Sequence, residues 1–258
     1  MDIGKELVQK AYDDVAHPAA KSTGELVELV PRAIKAALSP LEIWILRKEY
    51  NVDRTKRLLQ EKLKNVKPEN ICSPEPHIAV PALQYISYCM DNDELRDMYA
   101  NLLANSMNKV VKNGVHPAFV EVIRQLCPDE AKILKEMKGR NAIPTITLRA
   151  EDETGSGIDL VRNFSDITEA AHCEELAAYD QYFNNLVRLG LLNYAEKYQR
   201  LKSDALYEPL ETHELVLGMK KMVPFIDGQH TLFKIEKSFI YITSFGNAFC
   251  KVCLGNAN

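Results

Sequence analysis

No run of about 18 uninterrupted apolar residues occurs in the chain, which excludes a membrane-spanning helix from the expected elements. A glycine-rich phosphate loop is missing, and so is any cluster of His and Cys at zinc-finger spacing. No serine or cysteine nucleophile stands at a recognisable distance from a base. The opening segment MDIGKELVQKAYDD has the acidic-basic pattern of a helix and lacks the apolar core of a secretory signal. A basic excess is lacking too: 32 Lys and Arg stand against 36 Asp and Glu, a net charge of -4. That balance is not the footprint of a protein that coats nucleic acid.

What remains is an ordinary globular composition. The 258 residues are 46% hydrophobic and 26% charged, enough apolar side chain for a core and for one large domain or two small ones. Six cysteines are scattered through a chain too long to need disulfide staples. With no signal, the expected compartment is the cytoplasm and the expected state a reduced thiol.

Helical spacing dominates the first half. Ile3, Leu7, Val8, Ala11, Tyr12 and Val15 form one amphipathic set, and Leu26, Val27, Leu29, Val30, Ile34 and Leu38 a second. Ser39 and Pro40 give a helix start before Leu41, Ile43, Trp44, Ile45 and Leu46, and the basic continuation ends at Pro68. Three helices are expected over residues 78–90, 93–111 and 116–126. The second places Leu95, Met98, Tyr99, Leu102, Leu103, Ser106 and Met107 on one face. After Cys127 the pattern changes to a helix from Pro128, an alternating strand at 143–148 and a flexible loop, EDETGSG. A helix over 174–189 closed by Gly190, a strand, further strand signal at 231–242 and a final helix through Leu254 complete the order. The expected fold is therefore mainly α: an N-terminal helical bundle at 1–127, followed by a winged-helix-like α/β C-terminal domain at 128–258. LVRLGLLNY and the later YITSFGNAF are the phrases that resemble a winged helix.

Candidate chemistry is sparse. Cys250 and Cys253 form a lone C-x-x-C inside an amphipathic helix, which suits buried thiols better than half a zinc site. His116, before Pro117, reads as a helix-start residue. Asp91, Asp93, Glu94 and Asp97 read as capping and helix-dipole charges. The strongest electrostatic feature is the helix carrying Arg54, Lys56, Arg57, Lys62 and Lys64, a candidate contact for phosphate or anionic lipid against the plainer reading of a solvated face. The would-be recognition helix of the C-terminal domain is acidic, with Glu174, Glu175 and Asp180 against Arg188, which disfavours DNA readout. The amphipathic helices between Leu26 and Leu46 are the second membrane-interface candidate, against burial in a bundle.

Three stretches taken together resemble a known family: YDDVAHPAAKSTGELVELV with ALSPLEIW; DNDELRDMYANLLANSMN with VHPAFVEVIRQLCPDEAKIL; and LVRLGLL with YITSFGNAFCKVCL. They look like the abortive infection alpha family of bacteria. The resemblance implies defence against bacteriophage, in which an infected cell stops growing or dies before the phage matures. It supplies no catalytic, cofactor-binding or metal-binding residue. The expected function is a non-enzymatic defence protein acting through protein contacts, with no cofactor. The alternatives are a nucleic-acid-binding winged-helix regulator and a membrane-associated effector using the N-terminal amphipathic helices in peripheral contact; a homo-oligomer is a further expected form of partner.

Overall fold

The computed structural model describes residues 50–226 and 228–255, so the helices expected at 3–15, 26–38 and 41–46 lie outside the described residues. The chain divides into two compact units. One runs to Pro128 and takes in the chain again from Ala248; the other is Asp129–Asn247.

In the first unit, α1 (Tyr50–Leu63) precedes α2 (Pro76–Ile86), α3 (Asp93–Ser106) and α4 (Ala118–Arg124). Pro76 opens α2, where its missing N–H costs nothing. Asn92 caps α3 by accepting from the Leu95 N–H at 2.9 Å, and Asp93 and Glu94 follow in the first turn, where the helix dipole favours negative charge. The expected apolar face of α3 is buried at Met98, Tyr99, Leu102, Leu103, Ser106 and Met107. Burial goes further than one face, since Ala100, Asn101 and Ala104 are also enclosed. The helix packs against α1, α2 and α4. It ends at Ser106 rather than running on to 111, because Asn108 bridges to Ile71 and turns the chain.

The last helix, α10 (Ser244–Cys253), belongs to this unit from Ala248 onward. The domain expected over 128–258 does not anticipate this return. The return has a clear physical cause: Phe249 meets Phe119 edge-on at 5.4 Å, and the side-chain amides of Asn101 and Asn105 donate to the carbonyls of Cys253 and Val252 at 2.9 and 2.8 Å. Those carbonyls would otherwise be unpaired at the end of a helix.

The second unit contains α5 from Pro128 to Met137, β1 (Ala142–Glu151), β2 (Gly157–Phe164), α6 (Ile167–Ala170), α7 (Tyr179–Arg188) and β3 (Leu192–Tyr194). Then come α8 (Glu208–Glu211), α9 (Glu214–Met222) and β4 (Leu232–Ile242). The four strands form one antiparallel sheet in the order β2-β1-β4-β3. The described protein is thus mixed α/β, which corrects the expectation of a mainly α chain.

Two differences account for that. EDETGSG is a tight hairpin rather than a flexible loop: Asp152 accepts from the Thr154 and Ser156 N–H groups at 2.8 and 3.0 Å, and Gly155 takes the positive φ the turn needs. The hairpin brings in β2, whose Asp159, Arg162 and Asn163 interrupt the apolar alternation, as befits an edge strand. The long segment between β3 and β4 folds as α8 and α9. Their Leu210 and Val216, with Tyr207 just before α8, pack with Ile146, Leu148 and Phe164 of the sheet. Tyr207 is fixed at its hydroxyl, which donates to the Ser238 carbonyl at 2.8 Å and accepts from the Leu201 N–H at 2.9 Å.

The glycine-marked ends of the final elements behave as read. Gly190 ends α7 with φ +74. Thr243 donates to the Gly190 carbonyl at 2.6 Å and accepts from the Gly246 N–H at 2.9 Å, and a Cβ at Gly246 would stand 2.1 Å from the Leu191 carbonyl oxygen. The TSFG phrase is there because threonine caps and only glycine fits.

Leu102 is fully buried at the centre of α3. Leu102→Ala should lower unfolding stability by about 2–5 kcal/mol in urea titration, the transfer and cavity cost of a core leucine; a loss near zero would mean this face is open.

Candidate functional site

The five cations of α1 do not act as one cluster. On helical geometry Arg54, Arg57 and Lys64 share the solvent stripe, while Lys56 and Lys62 flank the buried stripe of Thr55, Leu59 and Leu63. Lys64 pairs with Glu61 on its own helix, and Lys62 pairs with Asp97 of α3. Arg54, Lys56 and Arg57 make up the remaining basic surface at the start of the described helix.

The acidic run before α3 is likewise dispersed. Asp93 pairs with Arg96 at 2.5 Å, Arg96 also donates to the Met90 carbonyl at 2.8 Å, and Asp97 serves Lys62. Among the described residues no group of three or more His, Cys, Asp or Glu side chains is placed to hold a metal ion. His116 accepts the Ala118 N–H at Nδ1 at 3.1 Å and tilts against Phe119, so it works as a helix-start residue. Cys250 and Cys253 are buried in α10, and burial, reinforced by Cys250, pushes the Cys253 thiol well up. On the outer side of the sheet, Arg149 reaches Glu151, Asp159 and Glu236, and Lys234 reaches Glu151 and Glu236, so these carboxylates are matched by cations across the strands.

The densest polar constellation lies at the helix start expected at Pro128. Asp129, buried at the head of α5, accepts from the Glu174 N–H at 2.9 Å, the Glu175 N–H at 3.3 Å, the Tyr182 hydroxyl at 3.0 Å and the Lys132 ammonium at 2.9 Å. Beside it, Glu130 accepts twice from the Asn185 amide, at 2.8 and 2.9 Å, and Asn185 accepts in turn from Arg188. Two adjacent carboxylates thus dock the 173–175 turn and α7. Burial alone would raise the Asp129 carboxyl; Lys132, the two backbone N–H groups and Tyr182 outweigh it and hold the group below its ordinary value. Polar side chains of α7 that a groove-binding helix would aim outward are therefore turned to internal bonds. Glu174 and Glu175 remain exposed, and Asp180 accepts from the exposed Asn184.

A further feature had no sequence reading at all. In α9 and the 3-10 turn Val223–Phe225, Val216 and Val223 are buried, but Met222 and Phe225 are 60% and 86% exposed, and Leu217 and Ile226 are exposed beside them. Lys220 and Lys221 lie in the last turn of the same helix. The signal in the sequence is the apolar run MVPFI.

Across this same span, residues 47–253, the chain matches the model of the family described as abortive infection alpha. The chain belongs to that family. No functionally curated protein is significantly similar to it. Among solved structures, an uncharacterized protein from the hydrocarbon-degrading marine bacterium Alcanivorax borkumensis SK2 is 18% identical, covering 54% of this chain and 96% of its own, with a TM-score of 0.36. That likeness is too low to carry an argument. Among the described residues no helix is long and apolar enough to cross a membrane.

The Asp129 constellation yields a pH-dependent expectation. A carboxyl whose folded pKa is lowered contributes stability that is present above its unfolded value, ordinarily 3.8, and is lost as pH falls through the lower folded value. Asp129→Asn should therefore cost about 1.5–3 kcal/mol at neutral pH, the scale of hydrogen bonds to a charged group. Denaturant melts of both proteins should converge as the pH is taken below 3.8. An equal gap at every pH would show that the charge is irrelevant.

Proposed function

We propose that this protein is an abortive-infection-type defence protein that works by binding another protein and not by chemistry of its own. The observation that carries the reading is family membership over residues 47–253. The arrangement of its polar groups supports it: His116 caps a helix start, Asp129 docks the 173–175 turn, Asp93 and Asp97 pair with Arg96 and Lys62, and Lys64 pairs with Glu61. The second unit is read as a winged-helix derivative, in which β1, β4 and β3 are the three strands in the customary order. The edge strand β2 and the α8–α9 insertion are additions to that plan. On this reading α7 occupies the place of the recognition helix, and the exposed Glu174 and Glu175 that precede it suit a basic protein surface better than a phosphate backbone.

Cells expressing the protein should, when challenged with phage, yield fewer progeny while the infected cells fail to recover. Unchanged phage yield would defeat the defence reading. Stoichiometric zinc, or phosphate released from a nucleotide by the purified protein, would defeat the non-enzymatic one. Reversing Arg54, Lys56 and Arg57 to Glu should leave protection intact and stability within about 0.5 kcal/mol, as at ordinary surface sites. Loss of protection in that folded variant would instead make the basic start of α1 the contact surface.

A further inference from the structure

We propose that the tip formed by α9 and the turn after it is a docking element for an anionic lipid surface. The inference does not depend on the defence reading. Val216 and Val223 anchor the element to its unit, yet the apolar side chains that follow are turned outward: Leu217, Met222, Phe225 and Ile226. A phenylalanine that is 86% exposed is not seated in a groove; it stands on a projection. Isolated exposed apolar residues are commonplace, but Met222, Phe225 and Ile226 follow one another closely at the end of α9.

The occupant follows from shape and charge. A projecting apolar tip needs a partner that is deformable or already hollow, and the interfacial layer of a bilayer accepts such side chains to a depth of about 5–10 Å without shape matching. Lys220 and Lys221 sit in the last turn, within reach of the headgroup level when Met222 and Phe225 enter. The neighbouring acids are partly matched: Lys237 pairs with Glu211 at 3.0 Å and with Asp204 at 3.4 Å, while Glu214 lies at the opposite end of α9. Lys220 and Lys221 thus adjoin the apolar tip in a chain that is acidic overall, at -4. A contact of this size is weak and reversible, and in that respect it differs from a spanning helix.

The test is co-sedimentation of the full chain with vesicles of phosphatidylcholine alone and of phosphatidylcholine with about one-third phosphatidylglycerol, the anionic lipid supplying the surface potential. Binding should be found with the anionic vesicles, weaken with added salt, and fall by about tenfold or more in Met222→Ser/Phe225→Ser and in Lys220→Glu/Lys221→Glu. Val110→Ser, which removes an exposed apolar side chain of the other unit, should leave binding unchanged. Far-UV circular dichroism checks that each variant is folded. As a measurement that does not rely on the double variants, the emission of Phe225→Trp should shift to the blue on adding anionic vesicles. Absence of binding to either vesicle would overturn the proposal. So would binding that the tip variants do not alter, which would place the lipid contact elsewhere in the chain. Self-association abolished by Met222→Ser/Phe225→Ser, without vesicle binding, would overturn it in favour of a second copy as the occupant.

Discussion

Helix α3 has no solvent side through its middle. From Met98 to Ala104 each successive residue is buried, and one of them is Asn101. An amide enclosed in this way must be paired or cost several times what an exposed one would. Its neighbours in sequence cannot supply everything it needs. The missing acceptor comes from the far end of the chain, where the Cys253 carbonyl receives Asn101 and the Val252 carbonyl receives Asn105. One exchange solves two problems: the buried amides gain acceptors and the last turn of α10 gains donors for carbonyls that helix geometry leaves open. Phe249 against Phe119 adds the apolar contact that closes the unit. The first unit is therefore completed only when the C-terminal segment has arrived.

The second unit is organised around one long strand pair. β1 and β4 run in continuous register from Ala142↔Tyr241 to Glu151↔Leu232, with β2 and the short β3 on either side. One face of that sheet is covered by residues from the α8–α9 insertion, and Asp129 with Glu130 fixes α7 by buried charge-assisted bonds. A buried carboxylate is costly to desolvate, and the four donors to Asp129 offset that cost while holding the 173–175 turn and α7.

The helices of the first unit were legible because their apolar residues recur at helical spacing and their starts carry Asn92, Pro76 and the Asp93–Glu94 pair. Gly190 and TSFG were legible for a different reason: each marks a backbone need that few residue types meet. What stayed hidden was what depends on distant partners. β2 carries Asp159 and Arg162, whose place in a strand makes sense only beside Arg149 and the open edge of the sheet. The helices α8 and α9 are too short for periodicity to reveal, being stabilised by Tyr207, Leu210 and Val216 on the sheet. Asp129 falls at an expected helix start, and three of its four donors lie some 45 or more residues away. The basic helix of α1 was visible as composition, but its division into Lys62, paired with Asp97, and a solvent stripe is a property of the folded unit.

Amide hydrogen exchange tests the dependence of the first unit on its C-terminal segment most directly. If α3 and the end of α10 form one cooperative body, the amides of residues 98–104 and those of 249–253 should exchange at the same slow limit, set by global unfolding. In Asn101→Ala both sets should accelerate together. Contradiction would come from residues 249–253 exchanging far faster than α3 in the native protein, since the core of α3 would then be complete without them.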